Sequence, residues 1–324
     1  MVLLRHAWLA AGFLLAGCYE AFPPSGVPCK SGVEDSCPSG QMCIRGSCRS
    51  MTGGGVDASM IPEIDASTVD GPPSDLDGDM IPNATDNCPN TSNSDQHDED
   101  ADTVGDVCDN CPHVANANQA KTGEPTTVNG AGDACDPRPG IPGDTIQKFY
   151  SFHVPPAGTS TTGDGTWAIA ADTYQHTGGG LTSLIVAGAR DKVTVEVAGT
   201  LDSNTNNLSL AVSVGDANQR YYECGYLDLS NPSDFHNAYI DYWNGGDYVE
   251  LTGFHDLPQR LSGAFTIRAS ADSTMDRIVC TTSDSRGPAT KQSGGANDLT
   301  PGTVGVYSEF ASYRLRYLVI FGQP

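Results

Sequence analysis

A chain of 324 residues carrying a formal charge of −23 lacks the basic face that phosphate contacts require, so no nucleic-acid partner is expected. Eleven cysteines fit an oxidising compartment, and beyond the N-terminus no segment approaches the roughly 20 apolar residues a membrane span needs.

Residues 1–18, MVLLRHAWLAAGFLLAGC, place one basic residue before an apolar run of about a dozen residues and then small residues before a cysteine. This is an export signal, and the LAGC ending resembles a bacterial lipobox. That resemblance implies a signal peptide over 1–17 and a lipid-modified Cys18 that anchors the mature chain to a membrane by several acyl chains. Tyr19 is not the Asp of retained lipoproteins, so the outer membrane is the expected location, facing either the periplasm or the outside. Without Cys18 the cysteines fall into even groups: Cys29, Cys37, Cys43 and Cys48; Cys88, Cys108, Cys111 and Cys135; Cys224 and Cys280. Each module is expected to close its own disulfides, with connectivity inside a group of four left open by spacing alone. Residues 18–50 form a small cysteine-rich module. A zinc site there would need a C-x-x-C pair or a nearby histidine, and neither is present. Residues 51–73 are rich in Gly, Ser, Asp and Pro and read as a linker.

In residues 75–111 carboxylates recur at every second position and then break at a cysteine. Asp75, Asp77, Asp79, Ile81 through its carbonyl, Asn83 and Asp86 occupy positions one, three, five, seven, nine and twelve of a loop. Asp98, Asp100, Asp102, Val104 through its carbonyl, Asp106 and Asp109 repeat them 23 residues later. Calcium takes roughly six to eight oxygen ligands, and alternate side chains on a tight loop supply them from one short segment. Pro82, Pro89 and Pro112 exclude the flanking helices of an EF-hand. The pattern, with Asn87, Cys88, Pro89, Asn93 and Gln96, resembles the thrombospondin type 3 repeat, which implies calcium as the cofactor. Met80 and Thr103 replace that family's loop glycine, and a third partial copy keeps Asn129, Gly130, Asp133, Cys135 and Asp136, adding Asp133 and Asp136 as candidate metal ligands. Residues 74–137 are the expected repeat segment, with Cys88–Cys108 and Cys111–Cys135 as its disulfides. Between Asp75 and Asp136 there are twelve Asp and two Glu against one Lys and no aromatic residue, so without ions this stretch is expected to be disordered.

After a short linker, 138–147, residues 148–324 hold twenty of the 24 aromatic residues. KVTVEVA (192–198), NLSLAVSV (207–214), DYVELT (247–252), GAFTIRA (263–269) and SYRLRYLVIF (312–321) alternate or run apolar for strand lengths. The expected fold is mainly β, a two-sheet sandwich. TWAIAADTYQ (166–175), DYVELT and the closing GTVGVYSEFASYRLRYLVIF (302–321) are similar to the concanavalin A-like or laminin G-like jelly roll.

That family includes glycoside hydrolases, but their Glu-x-Asp-x-x-Glu strand is absent. Glu223 and Asp228 are the one nearby carboxylate pair, and His153, His176, His236 and His255 are scattered, so no enzyme is expected. IDYWNGGDY (240–248) offers Tyr242 and Trp243 as a sugar-stacking platform. The expectation is therefore a calcium-rigidified, lipid-anchored stalk presenting a lectin-like sandwich to a carbohydrate or cell-surface protein. The alternatives are a dedicated carbohydrate-binding module and a divergent polysaccharide-degrading enzyme.

Overall fold

The computed structural model describes Cys37 and residues 41–44, 47–50, 74–122, 130–139, 141–188, 192–215, 220–229, 235–250, 255–257, 259–272, 277–294 and 302–323. Cys18, Cys29, the export signal and the 51–73 linker lie outside them. The chain divides into two units, Met1–Asp70 and Gly71–Pro324. In the first, β1 (Gln41–Ile44) and β2 (Ser47–Ser50) form a hairpin that sets Cys43 opposite Cys48, and Cys48 is bonded to Cys37.

The second unit begins with the repeats, whose described residues form no strand or helix before Thr145. The strands then follow: β3 (Thr145–Tyr150), β4 (Thr159–Gly163), β5 (Thr166–Ala170), β6 (Thr173–Thr177), β7 (Thr182–Ala187), β8 (Lys192–Gly215), β9 (Tyr221–Leu229) and β10 (Phe235–Trp243). After them come β11 (Tyr248–Glu250), β12 (His255–Asp256), β13 (Gly263–Asp272), β14 (Arg277–Asp284), β15 (Gly287–Gly294) and β16 (Thr303–Gly322). β3 thus begins inside the stretch 138–147 that the sequence suggested was linker. No helix occurs among the described residues, in agreement with the mainly β expectation.

Two long antiparallel strands, β8 and β16, build both layers. The first half of β8 pairs with β13 on one edge and with the end of β16 on the other, which makes a layer ordered β15–β14–β13–β8–β16–β3. The second half of β8 pairs with β9 and with the start of β16, in a layer ordered β11–β10–β9–β8–β16–β7–β4. The short β5–β6 hairpin joins the middle of β16 through β6. Side chains follow a period of two within each half, but the inward set changes parity. Val193, Val195 and Val197 face the core from the first half of β8, and Leu208, Leu210, Val212 and Val214 from the second. Register shifts in β16 between Glu309 and Ala311, Ser312 and Tyr313, and Leu315 and Tyr317 make the same correction. Phe310, in the left-handed region at φ +56°, marks the first shift. A buried disulfide, Cys224–Cys280, crosses the core from β9 to β14 and ties the layers face to face.

The closing strand reads as a nearly continuous apolar run because both of its faces are covered. Leu318 and Ile320 enter the sandwich core, while Tyr317, Val319 and Phe321 point the other way into a second cluster with Ala198, Cys111, Ala131 and Cys135. The repeats thus lie against the outer face of the first layer.

Candidate functional site

Each repeat loop is shaped by its own carboxylates. Asp75 accepts the N–H groups of Gly78 at 2.8 Å and Met80 at 3.1 Å, and Asp98 accepts those of Ala101 and Thr103 at 2.8 and 2.9 Å. Asp79 accepts from Ile81 and Asn93, both at 2.8 Å, and Asp102 from Val104 and Asn116 at 2.8 and 2.6 Å. Asp77 and Asp100 each accept one backbone N–H through Oδ1. Asp86 Oδ1 takes Cys88 N–H and Gln96 Nε2, and Asp109 Oδ1 takes Cys111 N–H and Gln119 Nε2. Four oxygens are left over. Oδ2 of Asp77, Asp86, Asp100 and Asp109 are all sealed from solvent with no hydrogen-bond partner.

Ligand atoms of Asp75, Asp77 and Asp79 lie within 4.8 Å of one another, as do those of Asp98, Asp100 and Asp102. Burial first, and then the carboxylates of Asp102, Asp109 and Asp98, push the Asp100 carboxyl up to about 7. Asp77 is raised by burial and by Asp79, Asp86 and Asp75. Positions one, three, five and twelve therefore form one charge cluster per loop. Desolvated, unpaired anionic oxygens are unfavourable unless a cation compensates them, and an all-oxygen donor set suits a hard one. The residues fit calcium.

The ninth position has a role beyond the expected one. Asn83 Oδ1 accepts Leu76 N–H and Asp106 Oδ1 accepts Glu99 N–H, each at 2.9 Å, so these side chains close the loop's base. Asp106 Oδ2 faces His97 Nδ1 at 2.8 Å. In the third copy Asp133 spends both oxygens on Thr122, at 2.7 and 2.8 Å, and Asp136 accepts Arg138 N–H. Neither joins a group of three ligating side chains among the described residues, so that copy keeps the loop closure and not the carboxylate cluster. At the seventh position the N–H groups of Ile81 and Val104 are held by Asp79 and Asp102.

Asn87, Asn93 and Gln96 have a role that spacing did not reveal. Asn93 Nδ2 donates to Asn87 Oδ1 at 2.7 Å, and Gln96 Nε2 reaches Asn93 Oδ1 and Asp86 Oδ1, so the trio aims the twelfth-position carboxylate. Asn110, Asn116 and Gln119 repeat it. The departure at the loop glycine is accommodated by strain: Met80 and Thr103 sit at φ +79° and +81°.

A second candidate site lies on the outer face of the second layer. It is a cleft of 610 Å³ lined by Tyr221, Glu223, Trp243, Tyr307, Glu309 and Arg220, among others. The rings of Tyr221 and Trp243 are 6.4 Å apart and inclined by 25°. Tyr239 donates to Glu223 Oε2 at 3.1 Å and Tyr307 to Glu309 Oε1 at 2.8 Å, which holds both carboxylates in place. Of the expected platform only Trp243 lines the cleft. Strand alternation turns Tyr242 inward, where it stacks on Tyr222 at 4.8 Å. For the same reason Asp228 faces away from Glu223; it is buried against Leu261 N–H and His236. Tyr221, Tyr307 and Glu309 were missed because they come from strands distant in sequence.

Residues 73–96 and 96–119 match the thrombospondin type 3 repeat. The strand arrangement is similar to that of the CBM2 module of the evolved Dit of Lactobacillus casei BL23 phage J-1, at 9% identity and TM-score 0.46 over 55% of this chain and 95% of that one. It is similar to the Bacillus subtilis carbohydrate-binding module CBM66, at 15% identity and TM-score 0.40 over 49% and 92%. It is also similar to the Lotus tetragonolobus seed lectin, at 10% identity and TM-score 0.39 over 55% and 99%. No curated protein sequence matches the chain.

The type 3 repeats are stapled by Cys88–Cys108 and Cys111–Cys135. Gly105 and Gly132 pass so close to them that a Cβ would lie 2.7 and 2.9 Å from Cys88 and Cys111 Sγ. Their contact with the sandwich centres on His113, whose side chain is fully buried with its ring 4.9 Å from that of Tyr317 and 5.9 Å from that of Phe321. Burial pushes the His113 imidazole down to about 4. Beside it Glu196 accepts the Tyr317 hydroxyl at 2.7 Å and pairs with Arg268. Arg316 Nε reaches the buried Glu99 at 2.8 Å, and Arg138 pairs with Asp144 where the repeats meet β3.

Proposed function

We propose that this chain is a calcium-binding, lipid-anchored cell-envelope protein whose repeats brace a carbohydrate-binding sandwich. The single observation that carries the calcium reading is the set of four sealed, unpartnered Oδ2 atoms of Asp77, Asp86, Asp100 and Asp109. Asp75, Asp77, Asp79 and Asp86 hold one ion, and Asp98, Asp100, Asp102 and Asp109 a second. The ion supplies positive charge that offsets carboxylate repulsion in a segment without a core, so binding energy becomes folding energy. Because the repeats lie along the first layer, bracing them holds Tyr317, Val319 and Phe321 under cover. The second layer carries the cleft, and there Trp243 and Tyr221 offer apolar ring faces beside Glu309, whose carboxylate accepts sugar hydroxyls. Anchoring through Cys18 at the outer membrane, and a role in adhesion, complete the reading.

The test is calorimetric titration of calcium into the intact, disulfide-bonded chain, followed by a glycan array with calcium present. Two bound ions, and glycan binding weakened by Trp243→Ala and unchanged by a substitution at the inward-facing Tyr242 that preserves the fold, are expected. Absence of heat up to millimolar calcium refutes the first part; glycan binding indifferent to Trp243→Ala refutes the second.

A further inference from the structure

We propose that His97, Asp106 and His153 form a site for a borderline divalent cation of the zinc class, distinct from the carboxylate loops, that clasps the second repeat to the sandwich. His97 immediately precedes the first carboxylate of that repeat, and His153 follows β3, so the two come from opposite sides of the contact. One ligand atom from each of the three residues lies within 4.8 Å of the other two. His97 Nδ1 is 2.8 Å from Asp106 Oδ2, and Asp95 Oδ2, 3.0 Å from His153 Nε2, offers a fourth donor.

The donor chemistry separates this site from its neighbours. Calcium is a hard cation that takes oxygen, whereas imidazole with carboxylate suits zinc, which binds four such ligands tetrahedrally. Asp106 Oδ1 is already committed to Glu99 N–H, so Oδ2 on the His97 side is the oxygen available. Ser151 Oγ, 2.7 Å from His153 Nδ1, is the outer partner that sets the orientation and tautomer of a ligating imidazole. The two rings now stack at 3.9 Å with 14° between their planes. Nitrogen lone pairs lie in those planes, so loading tilts the rings out of their stack, a small rotation of two side chains at a surface seam.

The experiment titrates zinc into the intact, disulfide-bonded chain with calcium saturating, followed by cobalt as a spectroscopic stand-in. One zinc per chain is expected, weakened at least about tenfold by His97→Asn and by His153→Asn, and roughly tenfold by Ser151→Ala. His153→Asn should leave calcium stoichiometry unchanged, which shows that the loops remain folded. The proposal is overturned if zinc gives no heat, or if both histidine variants bind as the parent does. It is equally overturned if zinc displaces calcium, which places it in the carboxylate loops, or if cobalt shows thiolate charge-transfer bands.

Discussion

Acidification should loosen the docking of the repeats through one residue, His113. Its ring is fully buried among Tyr317, Phe149 and Phe321. Burial lowers its pKa from 6.5 to about 4. A histidine whose folded value lies below its unfolded value leaves stability intact above about pH 6.5 and drains it as pH falls toward the folded value, since the unfolded chain takes up the proton first. At about 1.4 kcal/mol per unit the full gap is worth roughly 3 kcal/mol, and lowering the pH from about 7.5 to about 5 draws on roughly 2 kcal/mol of it. The comparison is urea unfolding at both pH values with calcium saturating, for the parent and for His113→Phe, which keeps a ring in the cluster. Glu196 keeps Tyr317 and Arg268 as partners in the variant. Glu99, pushed up to about 7 chiefly by burial, acts in the opposite sense but titrates in both proteins and cancels. The parent should lose about 2 kcal/mol more than the variant. Equal losses would refute the argument, because they would mean that His113 is hydrated or paired and does not stay neutral in the fold.

Thr103→Gly and Met80→Gly relieve a left-handed backbone at exposed positions, so each should tighten calcium binding by about 1 kcal/mol, read by calorimetry. Gly105→Ala sets a Cβ 2.5 Å from Asn87 Oδ1 and should cost about 1–3 kcal/mol, seen as faster protease cleavage in residues 74–109 at fixed calcium. Asp100 titrates near 7 without an ion, so protons compete with calcium and apparent affinity at about pH 6 should be roughly tenfold weaker than at about pH 7.5. An Asp100→Asn chain should lose most of that pH dependence. Replacing Cys224 and Cys280 together by alanine opens a 56-residue loop and should lower unfolding stability by about 4 kcal/mol, with calcium stoichiometry unchanged.

The carboxylate loops were legible because their chemistry is local. Alternate carboxylates on a short tight loop can reach one point whatever the rest of the chain does, so Asp75, Asp77, Asp79 and Asp86 and their copies stood out from spacing alone. The same counting could not show that Asn83 and Asp106 also close the base of each loop through Leu76 and Glu99 N–H, because spacing does not reveal hydrogen-bond partners. The cleft was half legible. Trp243 was found as an aromatic in a turn-flanking run, but Tyr242 beside it could be turned inward only by the pleat of β10, whose register with β9 is a long-range fact.

The sequence by itself determined the type 3 repeat loops, the even cysteine groups and a β-rich C-terminal region, since each rests on residues close together in the chain. Tertiary structure decided what those parts do to one another. An acidic segment without aromatic residues cannot show that it will shelter behind Val319 and Phe321, because the apolar surface that holds it belongs to a strand some 200 residues later. Nor could a run such as LVIF say which of its side chains face the core and which face the repeats; that follows from bulges in β16 that shift its register and so its faces.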